Sequence, residues 1–253
     1  MLGIATNIVK SNNIQKAYSA ARFTQFSGGI FPSGSNFAVA DDDSFSFTSS
    51  TGFGISMWVN LGLGTSTTSG LLMKKNEYAL WVTNLGQVNF MIVDDSNNNR
   101  VLRGTPSNSF PFNQWVHINV EYETNKEVEI YLNNVNVGSL TSDASFDELE
   151  NTTNGLQVGF SVINTAGEMS TAGFFNAAYA SGFITNLHIY SGNLTSNERN
   201  NVYNANVDGD FSNNVNNTIV ASYLLTSNIN DSSGNGFNGS VSAPGFEPTY
   251  STI

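Results

Sequence analysis

Between Gln114 and Gly138 apolar and polar residues alternate with a period of two. Val116, Ile118, Val120 and Tyr122 fall on one face of the first run, and Trp115, His117, Asn119 and Glu121 on the other. Side chains alternate across a strand, so this spacing predicts a half-buried strand with one wet face. In a second run Val128, Ile130 and Leu132 alternate with Glu127, Glu129 and Tyr131. Asn133-Asn134 then stands where a two-residue hairpin needs positive φ, which Asn tolerates best after Gly. Further strands are predicted over Gly54–Asn60, Leu71–Lys74, Tyr78–Val82, Val88–Val93, Leu156–Phe160, Gly182–Tyr190 and Val220–Leu225, with a turn at Asn84-Leu85-Gly86. Thr195 and Glu198 have capping-box spacing, so a helix of one or two turns starts there and ends near Tyr203. Asn204 to Asn217 reads as a polar loop, and Ile14–Phe23 reads as a short helix or an extended arm.

Composition narrows the function classes. The 253 residues carry 9 Lys and Arg against 20 Asp and Glu, a formal net charge of −11. Phosphate binding needs a basic stripe, and Lys74-Lys75 is the densest basic pair, so nucleic acid and anionic membranes are not the expected partners. With no cysteine there is neither a disulfide framework nor a thiolate metal site. No run approaches the roughly 18 apolar residues of a membrane span. Met1–Lys10 lacks the basic start and continuous apolar core of a secretory signal. A hydrophobic share of 40%, with 18 Phe and 9 Tyr, is enough for a large core.

The hairpin over Gln114–Gly138 resembles the signature of laminin-G-like, concanavalin A-like jelly rolls, roughly W-x-H-V-A-V-x-Y followed by V-x-I-Y-L-N-G-x-x-V-G. Gly54–Asn60 is similar to the family's I-S-x-W-V run. Phe37–Phe47 is similar to its Y-V-x-V-P-D-S-x-x-L-x-L segment. Gly182–Tyr190 with Leu194–Glu198 is similar to G-x-I-D-E-V-R-I-Y…L-S-x-x-E-I, except that the family's Asp is Asn186 here. Val220–Leu225 with Asn230–Gly239 resembles L-V-A-Y-W-x-F…N-D-S-S-G-N-G-N-N-G, a segment that opens many family members and closes this chain. The resemblance implies an all-β, two-sheet antiparallel jelly-roll sandwich with one short helix. The C-terminal segment would complete the sandwich, residues 36–253 would form the domain, and residues 1–35 an N-terminal arm or extended anchor.

Candidate chemistry is thinner. Asp231, Asn235 and the glycines around them offer hard oxygen ligands on a bent loop, as calcium needs, or else a turn whose Asp caps backbone amides. The resemblance adds that members of the superfamily often carry a structural Ca2+ near such a loop, close to the Asn186 position. Asp41–Asp43 and Asp94-Asp95 are lesser candidates. Glu127 and Glu129, about 7 Å apart by strand rise, imitate a glycosidase carboxylate pair but fall on polar positions where a solvated face is expected. His117 and His188 have no nucleophile or metal-ligand spacing around them and read as packing or surface residues. Among aromatics suited to stacking on sugars are Tyr78 and Trp81, and above all Phe174, Phe175 and Tyr179, in a loop-like cluster that is either an exposed binding loop or a flap folded into the core.

The expected role is a non-enzymatic recognition or assembly domain at a virion surface or outside the cell. It would be a capsid decoration or fibre protein whose partners are other virion proteins, further copies of itself and host-surface glycans. The alternative is a secreted or cell-surface carbohydrate-binding lectin module. A polysaccharide hydrolase or lyase stands behind both.

Overall fold

The computed structural model describes residues 19–26, 33–48, 50–62, 68–94, 100–123, 127–141, 149–162, 177–241 and 245–252. The first strands are β1 (Ser19–Phe23), β2 (Gln25–Phe26), β3 (Ser33–Gly34), β4 (Phe37–Val39) and β5 (Phe53–Leu61). Then come β6 (Ser69–Lys74), β7 (Tyr78–Val82), β8 (Val88–Val93), β9 (Arg100–Gly104), β10 (Val116–Tyr122), β11 (Glu127–Leu132) and β12 (Val135–Thr141). The chain continues through β13 (Leu156–Val158), β14 (Phe160–Val162), β15 (Ala177–Tyr179), β16 (Gly182–Ser191), helix α1 (Ser196–Ala205), β17 (Ile219–Tyr223) and β18 (Thr249–Thr252).

Two antiparallel sheets stack face to face. The larger runs β12-β11-β10-β5-β16-β1-β18, with β17 also on β16, and the smaller runs β4-β13-β6-β7-β8-β9. Their inner faces hold the alternating residues: Ile55, Met57 and Val59 of β5 and Ile118 and Val120 of β10 meet Leu80, Phe90 and Ile92 of the smaller sheet. Burying each such side chain stabilises by about 1.5–3 kcal/mol. Asn133 and Asn134 turn the hairpin with φ of 49° and 64°. Helix α1 starts where the capping box places it, Thr195 and Glu198 bonding reciprocally, and runs to Ala205.

The chain ends meet on one strand. Ala21–Phe23 of β1 pair with Gly182–Ile184 at the start of β16, and Ile219–Tyr223 of β17 pair with Leu187–Tyr190 further along it. Strand β18 then closes on β1. The C-terminal segment thus completes the sandwich. The expected arm over residues 1–35 needs correction at Ser19–Phe23, which is an inner strand flanked by β16 and β18. Its alternation is too short to stand out in the sequence, because Ala20, Ala21 and Phe23 carry the whole buried signal.

The expected wet face of β10 is also corrected. His117, Asn119 and Glu121 point outward from the larger sheet, yet each is at most 2% exposed. Helix α1 and the loop after it lie across them. Tyr203 stacks on Trp58 at 5.8 Å, and Arg199 reaches Glu121 at 2.9 Å. Leu194, Val202 and Phe211 pack around Tyr190 as a second small core. Gly54 makes room for the Tyr190 ring, since a Cβ there would stand 2.2 Å from its hydroxyl. That hydroxyl donates to Asn119 Oδ1 at 2.7 Å and Glu121 Oε1 at 3.1 Å.

Candidate functional site: a polar cleft on the outer face of the larger sheet

A β-bulge in β16 begins the site. The pairing with β5 shifts register between Thr185 and His188, and Asn186 takes a φ of 47°. The Asn186 amide donates to the carbonyls of Val207 at 2.6 Å and Gly209 at 3.1 Å. This pins the loop after α1 against the sheet. A carboxylate has no hydrogens to donate, so the family's Asp could not make these two bonds. Asp210 holds the next turn, accepting from Ser212 N, Ser212 Oγ and Asn213 Nδ2. Burial opposes its charge, but the Ser212 bonds, largest of its influences, hold its carboxyl below 3.8.

Between this loop, β17 and the Ser232-Ser233 turn lies a cleft of about 700 Å3. Its walls carry hydroxyls from Ser222, Thr226 and Ser233, the carboxylates of Asp208 and Asp210, and the ring of His188. Leu224, 42% exposed, supplies an apolar patch. Among the described lining residues there is no Phe, Tyr or Trp.

His188 is the unusual member. It is 3% exposed and stacks on Phe211 with ring centroids 4.3 Å apart, yet neither ring nitrogen has a hydrogen-bond partner among the described residues. Both ring nitrogens are themselves buried, and buried polar groups are nearly always bonded, so this ring is an exception in the wall of the cleft. Burial, helped by His117, pushes the His188 pKa down to about 3, so the imidazole is neutral. His117 lies behind it across a void of about 10 Å3, the room of one water. Ser56 Oγ is 2.8 Å from its Nε2, and burial lowers its pKa to about 3 as well.

Of the residues read as ligand or metal sites, Asn186 lines the cleft, and the other described ones lie outside its lining. Phe174 and Phe175 lie outside the described residues. Tyr179 sits on β15, its ring 4.8 Å from Phe160 in a hairpin that packs against β6 of the smaller sheet. Burial pushes its hydroxyl pKa up. Tyr78 and Trp81 are buried at 2% and 4% exposure and belong to the core and to the outer side of the smaller sheet. The Asp231 carboxylate accepts four bonds: from Ser222 N and Ser233 N on Oδ1, and from Ser233 Oγ and Phe237 N on Oδ2. Burial would raise its pKa, but these bonds together hold it below 3.8. Asn235 donates its amide to the carbonyls of Ile219 and Val220. Asp231 and Asn235 therefore tie the turn to β17, while Asn186 ties down the loop on the other side of the cleft. Asp41 pairs with the buried Lys74 at 3.0 Å, and Lys74 also meets Glu77 at 2.5 Å.

A different acidic group could hold a metal ion. Glu121, Glu123 and Glu129 each place a carboxylate oxygen within 4.8 Å of the others. Burial and then the neighbouring Glu129 push the Glu123 carboxyl up. Glu129 already accepts from Tyr131 Oη and Asn136 Nδ2, both at 2.6 Å. The sequence hid this grouping because Glu121 and Glu129 meet only through the β10–β11 register.

The profile described as the concanavalin A-like lectin/glucanases superfamily, of laminin G type, matches residues 32–198. The chain belongs to this superfamily. No curated protein matches it significantly. Among solved structures it is similar to a candidate carbohydrate-binding protein of Bacteroides ovatus, with 14% identity and a TM-score of 0.60 over 94% of this chain and 60% of that one. It therefore spans less than two thirds of that relative. It is also similar to the heptameric SAP-like pentraxin of Limulus polyphemus, with 13% identity and a TM-score of 0.51 over 75% of this chain and 83% of that one. At these identities the likeness establishes the sandwich and leaves the ligand to the site itself.

Proposed function

We propose that this domain is a non-catalytic carbohydrate-binding module that takes its glycan in the cleft beside His188. One observation carries the reading: hydroxyl, carboxylate and imidazole groups converge around an apolar patch at Leu224 in a cleft of about 700 Å3. A sugar presents hydroxyls that both donate and accept, and a C–H face that needs apolar contact, so such a wall matches it chemically. The volume lies within the roughly 300–1,000 Å3 of small-molecule sites. Superfamily membership and the carbohydrate-binding designation of the Bacteroides ovatus protein support the same reading. Binding without chemistry fits the carboxylates: Glu129 spends both oxygens on Tyr131 and Asn136. The expected virion attachment has no support in the cleft geometry or in the family match and forms no part of the proposal.

The test is a printed glycan array probed with the wild-type domain and with His188→Phe. The phenyl ring keeps the stack on Phe211 and removes both ring nitrogens. We expect the variant to fold and to bind the wild-type hits about five- to tenfold more weakly, the cost of about one hydrogen bond. Undiminished binding by His188→Phe would move the site away from the cleft, and silence of both proteins would sink the carbohydrate reading.

A further inference from the structure

Lys74 closes β6 and is 0% exposed, a rare place for a lysine. Its ammonium gives its three hydrogens to three oxygens: Glu77 Oε1 at 2.5 Å, Asp41 Oδ1 at 3.0 Å and the carbonyl of Thr152 at 3.0 Å. Asp41 follows β4 and stands 33 positions before Lys74 in the chain. In the smaller sheet β13 lies between β4 and β6. The Asp41 side chain is 29% exposed and that of Glu77 only 2%. Glu77 Oε1 also accepts from Thr152 N at 2.7 Å and Thr152 Oγ1 at 2.9 Å. Its Oε2 is buried and has no hydrogen-bond partner among the described residues. A proton in transit can rest on that oxygen without breaking an existing bond. An amine, a carboxyl and a second carboxyl with an open oxygen are thus held together, buried except for the flank of Asp41.

Independently of the carbohydrate reading, we propose that Lys74 and Asp41 condense into an isopeptide bond, with Glu77 as the catalytic acid and base. The step balances within the three side chains. Glu77 takes one proton from the Lys74 ammonium and passes it to the Asp41 carboxylate. The freed nitrogen lone pair attacks Asp41 Cγ and forms the C–N bond. The nitrogen then yields a second proton through Glu77. The C–O bond breaks with its electron pair on oxygen, and one water leaves. The charges of lysine and aspartate vanish together, Glu77 ends as it began, and nothing is oxidised or reduced. Between free groups in water, hydrolysis would win. Here the contact at 3.0 Å needs only a small turn of the carboxyl to bring Cγ to the roughly 3–3.5 Å of reacting atoms. Such orientation is worth an effective concentration of about 10⁵–10⁸ M. Burial of Lys74 shields the amide from bulk water, and the exposed flank of Asp41 gives the product water a way out. The new amide N–H takes the place of the ammonium as donor to Glu77. The bond ties the edge strand β4 to β6 across β13.

Mass spectrometry of the intact, denatured domain after incubation at neutral pH tests this directly. Wild type should be lighter than its sequence by one water. Asp41→Ala removes the electrophile but keeps the Lys74–Glu77 pair, and should run at its full sequence mass. Asp41→Asn should be lighter than its own sequence by one ammonia, which separates this bond from a dehydration elsewhere in the chain. Glu77→Gln keeps the shape and loses the proton carrier, so the cross-link should appear about 100-fold more slowly or worse. Trypsin should spare Lys74 in wild type and release one branched peptide that joins it to Asp41. Thermal melting checks that each protein is folded, and should Glu77→Gln fail to fold, the two Asp41 variants still decide. Folded wild type at its full sequence mass overturns the proposal. A loss of water that survives Asp41→Ala, or tryptic cleavage after Lys74, does the same. A folded Glu77→Gln that cross-links as fast as wild type overturns the role of Glu77.

Discussion

Removing the Asp231 side chain asks whether the C-terminal turn is held by hydrogen bonds or by a cation. Asp231→Ala deletes four bonds, of 2.9, 2.9, 2.7 and 3.1 Å, to Ser222 N, Ser233 N, Ser233 Oγ and Phe237 N. Water can reach the Ser233 groups once the carboxylate is gone, so their loss costs little. The amides of Ser222, on β17, and Phe237, packed against the core, are less easily resolvated. At about 1–1.5 kcal/mol for each of those donors, and a few tenths for the turn, the total is about 3 kcal/mol. For a domain of this size that lowers Tm by about 6–12 °C. Asp231→Asn keeps one acceptor oxygen and should lose about half as much. Because the Asp231 carboxyl is held below its ordinary 3.8, its contribution is complete above that pH and fades as pH falls through the folded value. The difference between wild type and Asp231→Ala should therefore shrink in acid. Differential scanning calorimetry of wild type and both variants, with Ca2+ or with EDTA, decides the matter. Four bonds fill the four lone-pair positions of a carboxylate, so EDTA should leave the wild-type Tm unchanged. If EDTA instead lowers it as far as Asp231→Ala does, the carboxylate is a metal ligand and the reasoning is wrong. It is equally wrong if Asp231→Ala melts within about 2 °C of wild type, the shift of less than about 1 kcal/mol.

Asn186→Asp restores the superfamily's residue but points a carboxylate at the carbonyls of Val207 and Gly209. Urea unfolding should show a loss of about 2–4 kcal/mol, and the array signal should fall with it, since the loop forms one wall of the cleft. Backbone strain would not be the cause, because Asp tolerates positive φ nearly as well as Asn. The two buried histidines set a pH dependence. Both have folded pKa values lowered from 6.5 to about 3, so the unfolded chain takes up two protons that the folded chain refuses. Their stabilisation is complete above pH 6.5 and declines toward pH 3, by about 1.4 kcal/mol per unit for each histidine. Melting at about pH 5.5 should fall below that at about pH 7.5 by roughly 3 kcal/mol, and a His117→Gln/His188→Phe variant should flatten the profile. A wild-type profile that is already flat would mean that both rings are charged in the fold, and half the slope would mean that one is.

Much of the sandwich was legible in the chain because its signals are local. Alternation in β5, β10 and β11 depends only on neighbours two apart, and the capping box of α1 and the Asn133-Asn134 turn lie within a few residues. The repeat of family motifs at compatible spacing extended this to the whole fold. The outer face of β10 was misread because a period of two records only that one face is apolar. His117, Asn119 and Glu121 would look the same under water or under a helix, and only the packing of Trp58 on Tyr203 and of Arg199 on Glu121 decides between them. A signal was present in Val207 and Phe211, apolar residues in an otherwise polar stretch that both turn out buried.

What the sequence by itself determined is the set of strands, the helix start, the superfamily and the acidic charge, all of which follow from short-range patterning and composition. The cleft belongs to the tertiary structure alone. It is assembled from the β16 bulge, the loop after α1, β17 and the turn at Ser232, segments up to some 45 residues apart that meet because β1 and β17 share one flank of β16. Which polar residues are buried, which carboxylates crowd together and which imidazole is left unbonded are properties of that meeting, and hydrogen-bond partners drawn from distant strands leave no mark in local spacing.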